Sequence, residues 1–256
     1  MKKQILVFLL LIFIDSYGQT GIYHSNGTLT VEIPTSFDVL YGYPNANQID
    51  SKAIDEYNKG TTIMINLNKQ TNKENSLLKA IDHFISSINY DKKFVQAYDN
   101  LGKSYRMLGN YNLAKESYEI SIKIFPSGIS AHQNLAIIYE KEKDWRNAIF
   151  RYKTVIKLQP NNPEGYYGLA NVYMKTSEYG IALKNASKAL ELYKKNPTNY
   201  IGDSYGQVGL IYYYTKNNVK AKEYIQIAKE KYISNNLKSY FYSTFPENML
   251  KELGIR

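Results

Sequence analysis

Displaced by 34 residues, the sequence superposes on itself, and a chain that repeats at one fixed spacing folds as stacked copies of one unit. Leu101-Gly102 falls on Leu135-Ala136 and then on Leu169-Ala170. Tyr105 falls on Tyr139 and Tyr173, Ala114 on Ala148 and Ala182, and Tyr111 on Trp145 and Tyr179. Tyr98 meets His132 and Tyr166, Tyr118 meets Tyr152, and Pro126 meets Pro160. A step of 39 continues the series to Tyr205, Val208-Gly209, Tyr212, Ala221 and Ala228. Stepping back by 34 from Ala114, Tyr118 and Ser121 gives Ala80, Phe84 and Ser87.

The columns have a physical reading of their own. Leu101, Gly102 and Tyr105 fall on one helical face, because residues three and four apart are neighbours on a helix. Gly or Ala at 102, 136 and 170 lets two helices approach closely, and aromatics in the flanking columns fill the wider gaps. Pro126 and Pro160 cannot continue a helix, so each marks a break before the next unit. One helix pair cannot bury its own apolar face, so neighbouring pairs must stack.

This pattern resembles the tetratricopeptide repeat family, whose unit is a helix–turn–helix with an aromatic, Leu-Gly and Tyr in its first helix. Its second helix carries Ala, an aromatic and a small residue, followed by proline. Those columns read Tyr98, Leu101, Gly102, Tyr105, Ala114, Tyr118, Ser121 and Pro126 in the best-preserved unit. The next reads His132, Leu135, Ala136, Tyr139, Ala148, Tyr152, Val155 and Pro160, and the third Tyr166, Leu169, Ala170, Tyr173, Ala182, Ala186 and Ala189. The resemblance implies an all-α fold: an α-solenoid of tetratricopeptide-type helix–turn–helix repeats over residues 51–235, with a C-terminal capping helix within 236–256. The repeats are expected at about 61–94, 95–128, 129–162, 163–201 and 202–235. The first is degenerate, with Asn68 and Thr71 in the small and aromatic columns, and its helices are expected near 51–67 and 74–90. The third lacks its proline at Lys194 and gains five residues, which predicts a lengthened helix pair. In the cap, Pro246 to Leu253 reads as a short helix, with Phe241, Phe245, Met249, Leu250 and Leu253 covering the exposed end of the stack.

The N-terminus carries a different signal. Lys2 and Lys3 precede an unbroken apolar run from Ile5 to Ile14, which Asp15 ends. Ten residues are about half of what a helix needs to cross roughly 30 Å of hydrocarbon. With small residues at Ser16 and Gly18, the segment reads as a secretory signal peptide over residues 1–18. The chain is therefore expected to be exported, periplasmic or secreted, with no transmembrane segment after cleavage. Residues 19–50 lack helical period and are expected to be extended or loosely ordered, with a short strand at Thr28–Ile33.

The search for chemistry returns no catalytic constellation. With no cysteine, thiol nucleophiles and zinc-thiolate sites are excluded. The three histidines, His24, His83 and His132, lack metal-ligand spacing on a shared face, and there is no phosphate-binding glycine loop or nucleophile elbow. Carboxylate pairs such as Glu140 and Asp144 read as solvated helix surface. The expectation is a non-catalytic chain without cofactor or metal. A formal charge of +9 suits an anionic partner, but scattered basic residues on an exported chain argue against nucleic acid.

Tyrosine supplies 26 of the 36 aromatic residues, and eleven of them (98, 105, 111, 118, 139, 152, 166, 173, 179, 205 and 212) occupy packing columns. The informative residues are those the resemblance places on the concave face, which the first helix of each pair supplies in this family. That face would show Asp99, Lys103 and Arg106, then Gln133, then Glu164, Tyr167 and Asn171, and finally Gln207, Tyr213 and Tyr214. The resemblance implies a protein–protein interaction scaffold holding an unidentified protein segment against Asp99, Lys103, Arg106, Gln133, Tyr167, Asn171, Tyr213 and Tyr214. The alternative is a carbohydrate-binding module in which Tyr167, Tyr213 and Tyr214 stack on sugar rings. A chaperone C-terminal tail is an unsuitable partner: of the family's clamp positions only Asn134 matches, and Asp99 and Glu164 carry the wrong charge.

Overall fold

The computed structural model describes residues 49–255 except 199 and 236, together with the backbone of three short N-terminal strands. Strands β1 (Ile12–Ile14), β2 (Thr20–Tyr23) and β3 (Leu29–Thr30) pair antiparallel in that order, with Ile12 opposite Ile22 and Ile22 opposite Thr30. The strand expected at Thr28–Ile33 is thus represented by Leu29–Thr30. The signal peptide and the remainder of segment 19–50 otherwise lie outside the described residues.

Beyond the strands the described chain is helical. The helices are α1 (Ser51–Ile65), α2 (Lys73–Tyr90), α3 (Val95–Met107), α4 (Tyr111–Ile124), α5 (Ile129–Lys141) and α6 (Trp145–Leu158). They continue with α7 (Pro163–Lys175), α8 (Tyr179–Lys195), α9 (Ile201–Tyr214), α10 (Asn218–Ser234), α11 (Lys238–Thr244) and α12 (Glu247–Glu252). Within each unit successive helices pack against one another, and the fold class is the expected all-α solenoid. Two compact units divide the chain, Met1–Asn134 and Leu135–Arg256, with the division inside α5.

The turn between the two helices of a pair also repeats, although the sequence columns do not reveal it. Gly109, Lys143, Ser177 and Lys216 all have positive φ, between 60° and 79°. The residue after each donates its N–H back to the tyrosine five residues earlier: Asn110 to Tyr105, Asp144 to Tyr139, Glu178 to Tyr173 and Asn217 to Tyr212, at 2.8–2.9 Å. Asn110, Asp144 and Asn217 then cap the next helix through their side chains. A left-handed residue closing a helix is best supplied by glycine, because a Cβ there meets the following carbonyl. Lys143→Gly and Ser177→Gly should each stabilise the fold by about 0.5–1 kcal/mol, the relief of left-handed strain exceeding glycine's extra chain entropy. Thermal melts of the two variants check this, with a higher midpoint expected for each.

In the first unit the core is Ala53, Tyr57, Ala80, Ile81, Phe84, Phe94, Ala97 and Leu101. The Tyr57 ring lies 4.8 Å from that of Phe94, and its hydroxyl accepts a 2.9 Å bond from Asn100. The register expected for the degenerate repeat is corrected here. The small residue of its first helix is Gly60, not Asn68: a Cβ on Gly60 would lie 2.6 Å from the Phe84 ring, as one on Gly102 would lie 2.8 Å from Tyr118. The cause is a longer connection. A 3-10 turn at Leu67–Lys69 and the polar stretch to Asn72 separate α1 from α2, so α1 ends at Ile65. Neither histidine of this unit's helices sits in a metal site: His83 Nδ1 lies 2.7 Å from Glu56, and His132 donates to the Pro126 carbonyl at 3.1 Å.

In the second unit one core cluster joins Ala136, Ala148, Tyr152, Leu169, Ala170, Tyr173, Ala182, Ala186, Val208 and Ile211. Tyr139, Tyr179, Tyr205 and Tyr212 pack against its edge, half-buried, as their columns predict. Helix α8 is 17 residues long where α4 and α6 are 14, so the residues inserted in the third repeat lengthen its second helix, and α10 is also 17 residues long. At the C-terminus Phe241, Phe245, Met249, Leu250 and Leu253 are all buried against Ala221, Ile225, Ala228 and Tyr232. They come from two short helices rather than one, because α11 precedes the expected α12.

Candidate functional site

In the first unit the expected concave residues separate into buried and half-buried. Asp99 is only 5% exposed and accepts a 2.6 Å hydrogen bond from the Ser121 hydroxyl, so it is a buried structural acceptor and not a groove contact. Burial pushes its carboxyl up to about 6, against the opposing effect of hydrogen bonds from Ser121 and Ser130. Gln133, at 7% exposed, is likewise withdrawn from solvent. Lys103 and Arg106, one turn apart on α3, are half-buried, and the Arg106 Nε is buried without a hydrogen-bond partner.

In the second unit the face of α7 and α9 gathers polar groups. Glu164, Tyr167 and Asn171 lie along α7, and Asp203 and Gln207 along α9, each set with one-turn spacing. Gln207 ties the two helices: its Nε2 donates to the Tyr167 carbonyl at 2.9 Å and to Asn171 Oδ1 at 2.6 Å. Two acceptors facing one amide nitrogen fix the orientation of the amide, and its Oε1 is left buried without a partner.

Second helices hold the carboxylates from behind. Tyr193 on α8 donates to Glu164, and Tyr232 on α10 donates to Asp203 Oδ1 at 2.7 Å. Both tyrosines are buried, at 2% and 1% exposed, while Glu164 and Asp203 keep partial access to solvent. Burial raises the carboxyls of Glu164 and Asp203, and the charge of Asp203 raises Glu164 further. The hydroxyls of Tyr167, Tyr193 and Tyr232 are all pushed up, first by burial and then by these carboxylates. Tyr193, Tyr232 and Asp203 are absent from the residues expected at the site. A signal for them exists, because the 39-residue step carries Glu164 to Asp203 and Tyr193 to Tyr232.

Tyr167, Tyr213 and Tyr214 do not form one platform. Tyr167 keeps company with Asn171, Gln207 and the two carboxylates. Tyr213 is about six residues, roughly 9 Å, farther along α9 than Gln207. Its hydroxyl donates to Glu252 of α12 at 2.7 Å, which ties the terminal helix down. Tyr214, half exposed, stacks on Tyr179 with ring centroids 5.9 Å apart. Tyr213 and Tyr214 pack edge to face on each other, with ring centroids 5.9 Å apart. Among the described residues no group of three or more His, Asp or Glu side chains gathers to hold a metal ion, and no helix is long and apolar enough to cross a membrane.

Comparison with known proteins agrees with this geometry. Two family models match single units: one described as tetratricopeptide repeat at residues 95–127, and one described as TPR repeat at 141–177. No curated protein matches the sequence significantly. Among solved structures, TTC0263, a thermophilic TPR protein of Thermus thermophilus, superposes with TM-score 0.59 at 16% identity over 75% of this chain and 97% of its own. MamA from Desulfovibrio magneticus RS-1 gives 0.58 at 17% identity over 73% and 98%. YrrB, titled a TPR protein with an unusual peptide-binding site, gives 0.51 at 17% identity over 82% and 97%. At these identities the likeness is one of fold.

Proposed function

Since this chain is a tetratricopeptide repeat protein, we propose that it is a non-catalytic scaffold that binds a protein segment along the first helices of its repeats. The observation that carries this reading is the α7–α9 face, where Tyr167, Asn171 and Asp203 keep partial solvent access on a frame fixed by Gln207, Tyr193 and Tyr232. Holding polar and aromatic groups rigidly before a partner arrives lowers the entropic cost of binding. Lys103 and Arg106 offer a second, basic stretch on α3. The peptide-binding site named for YrrB belongs to that protein, and it supports the view that this fold can carry the activity proposed here. The N-terminal Lys2-Lys3 start and ten-residue apolar run support an exported chain, which mass mapping of the native N-terminus near Gln19 tests.

The reading makes a direct demand on partner capture. After crosslinking in cells, the tagged chain should co-purify a protein that Tyr167→Ala/Asn171→Ala fails to retain, with matching circular dichroism. Truncating an aromatic at the centre of an interface costs about 2 kcal/mol, roughly thirtyfold in affinity. Equal capture by both forms would place the working surface elsewhere.

A further inference from the structure

Glu164 and Asp203 are the unusual pair in this molecule. The chain carries 32 Lys and Arg residues, yet among the described residues neither carboxylate forms an ion pair with any of them. The contrast is Glu140, which also accepts from a tyrosine hydroxyl, that of Tyr152 at 2.5 Å, but pairs with Lys175 at 2.8 Å as well. Glu164 and Asp203 receive only neutral donors: a tyrosine hydroxyl each and, for Asp203, its own backbone N–H. They are close enough for the charge of one to act on the other. Each lies in the first turn of its helix, whose N-terminus offsets part of its charge, but no basic side chain completes the compensation of these two half-buried like charges.

Three further features share this place. The unpartnered Oε1 of Gln207, a residue only 3% exposed and one turn beyond Asp203, adds the negative end of an amide dipole that no donor neutralises. Tyr167 lies beside both carboxylates, and Tyr240 is within electrostatic reach of Tyr167. Tyr240 packs at a tilt against Tyr232, with centroids 5.5 Å apart, and is 48% exposed. The result is a small negative patch with tyrosine rings beside it. Carboxylates accept N–H donors, and tyrosine rings attract a cation over their faces.

We propose that the negative patch of Glu164 and Asp203, beside Tyr167 and Tyr240, takes a lysine or arginine side chain of the protein segment that this face binds. The inference rests on the scaffold reading and specifies its partner chemistry: the bound segment carries a cation at one fixed position. An acidic tail is disfavoured at this end of the chain, since it would bring like charge to Glu164 and Asp203.

The probe is a library of random-sequence peptides displayed on phage, selected on the full immobilised chain. Enriched peptides should converge on one Lys or Arg, and replacing that residue with glutamine or acetyl-lysine should weaken binding tenfold or more. The Glu164→Gln/Asp203→Asn variant should lose a similar factor for the basic peptide and little for its glutamine analogue. Tyr240→Ala removes a half-exposed side chain that packs at a tilt on Tyr232, and it should weaken the basic peptide severalfold even where the double variant fails to fold. Enriched peptides without a fixed basic residue, or a basic residue indifferent to all three substitutions, would overturn this proposal and leave segment binding intact. No enrichment over a blank surface would overturn both.

Discussion

Gly102→Leu should destabilise the fold by at least about 1–3 kcal/mol, the usual cost of overpacking, while Lys103→Ala beside it should stay within about 0.5 kcal/mol. A Cβ at Gly102 would stand 2.8 Å from the ring of Tyr118, which is fully buried and has nowhere to move. Gly168 is tighter still. Its Cβ would approach Tyr152 to 2.2 Å, and that ring is held by the bond from its hydroxyl to Glu140. Gly168→Ala alone should therefore lower the midpoint measurably. Gly180→Ala is the control, because nothing lies within 4 Å of its Cβ and it sits within α8. Removing a helical glycine there should raise stability by up to about 1 kcal/mol. Unchanged midpoints for both Gly102→Leu and Gly168→Ala would contradict the helix contacts described here.

Asp99→Asn should make the chain more stable at neutral pH and flatten its pH dependence between about 4 and 6. The carboxyl is raised by burial from 3.8 to about 6 in the folded chain. A raised carboxyl binds its proton more tightly when folded, so its favourable contribution is complete below 3.8 and is lost as pH rises through about 6. A shift of that size corresponds to about 3 kcal/mol of native-state cost at pH 7. Asparagine is similar in shape and uncharged, and its amide oxygen can still accept from Ser121. Denaturant unfolding of both forms at pH 4 and pH 7 gives the comparison. A wild type that loses no stability relative to Asp99→Asn between these two values would contradict the burial assigned to this group.

The solenoid was legible because its physics is written in columns. Small residues meet aromatics at Gly102 and Tyr118, and the same spacing recurs at Ala136 and Tyr152. The first pair was misread in register because its small residue, Gly60, lies 24 positions before Phe84 rather than 16, across a connection that periodicity cannot measure. The turn residues were hidden for another reason. Gly109, Lys143, Ser177 and Lys216 share a backbone angle but no single side-chain type, and a comparison of residue types passes over them. The expected site fared unevenly. Tyr167 and Asn171 lie on α7 beside Gln207 of α9, but helical position alone did not show that the Asp99 side chain turns to Ser121. Nor did it show that Tyr213 is committed to Glu252, since the C-terminal helices have no counterpart in the repeat. The tyrosine excess divides by what the hydroxyl does: Tyr118, Tyr152, Tyr193 and Tyr232 are all buried, and the last three also donate to carboxylates.

The central claim is that the first-helix face, and not the outer surface, meets a protein partner. Site-specific photocrosslinking reads this directly. A benzophenone-bearing phenylalanine is placed at Tyr167 on α7 in one form and at Lys153, exposed on α6, in another. Irradiation in cells followed by mass spectrometry should yield a protein adduct from position 167 and none from 153. Adducts from 153 alone, or from neither position, would contradict the account.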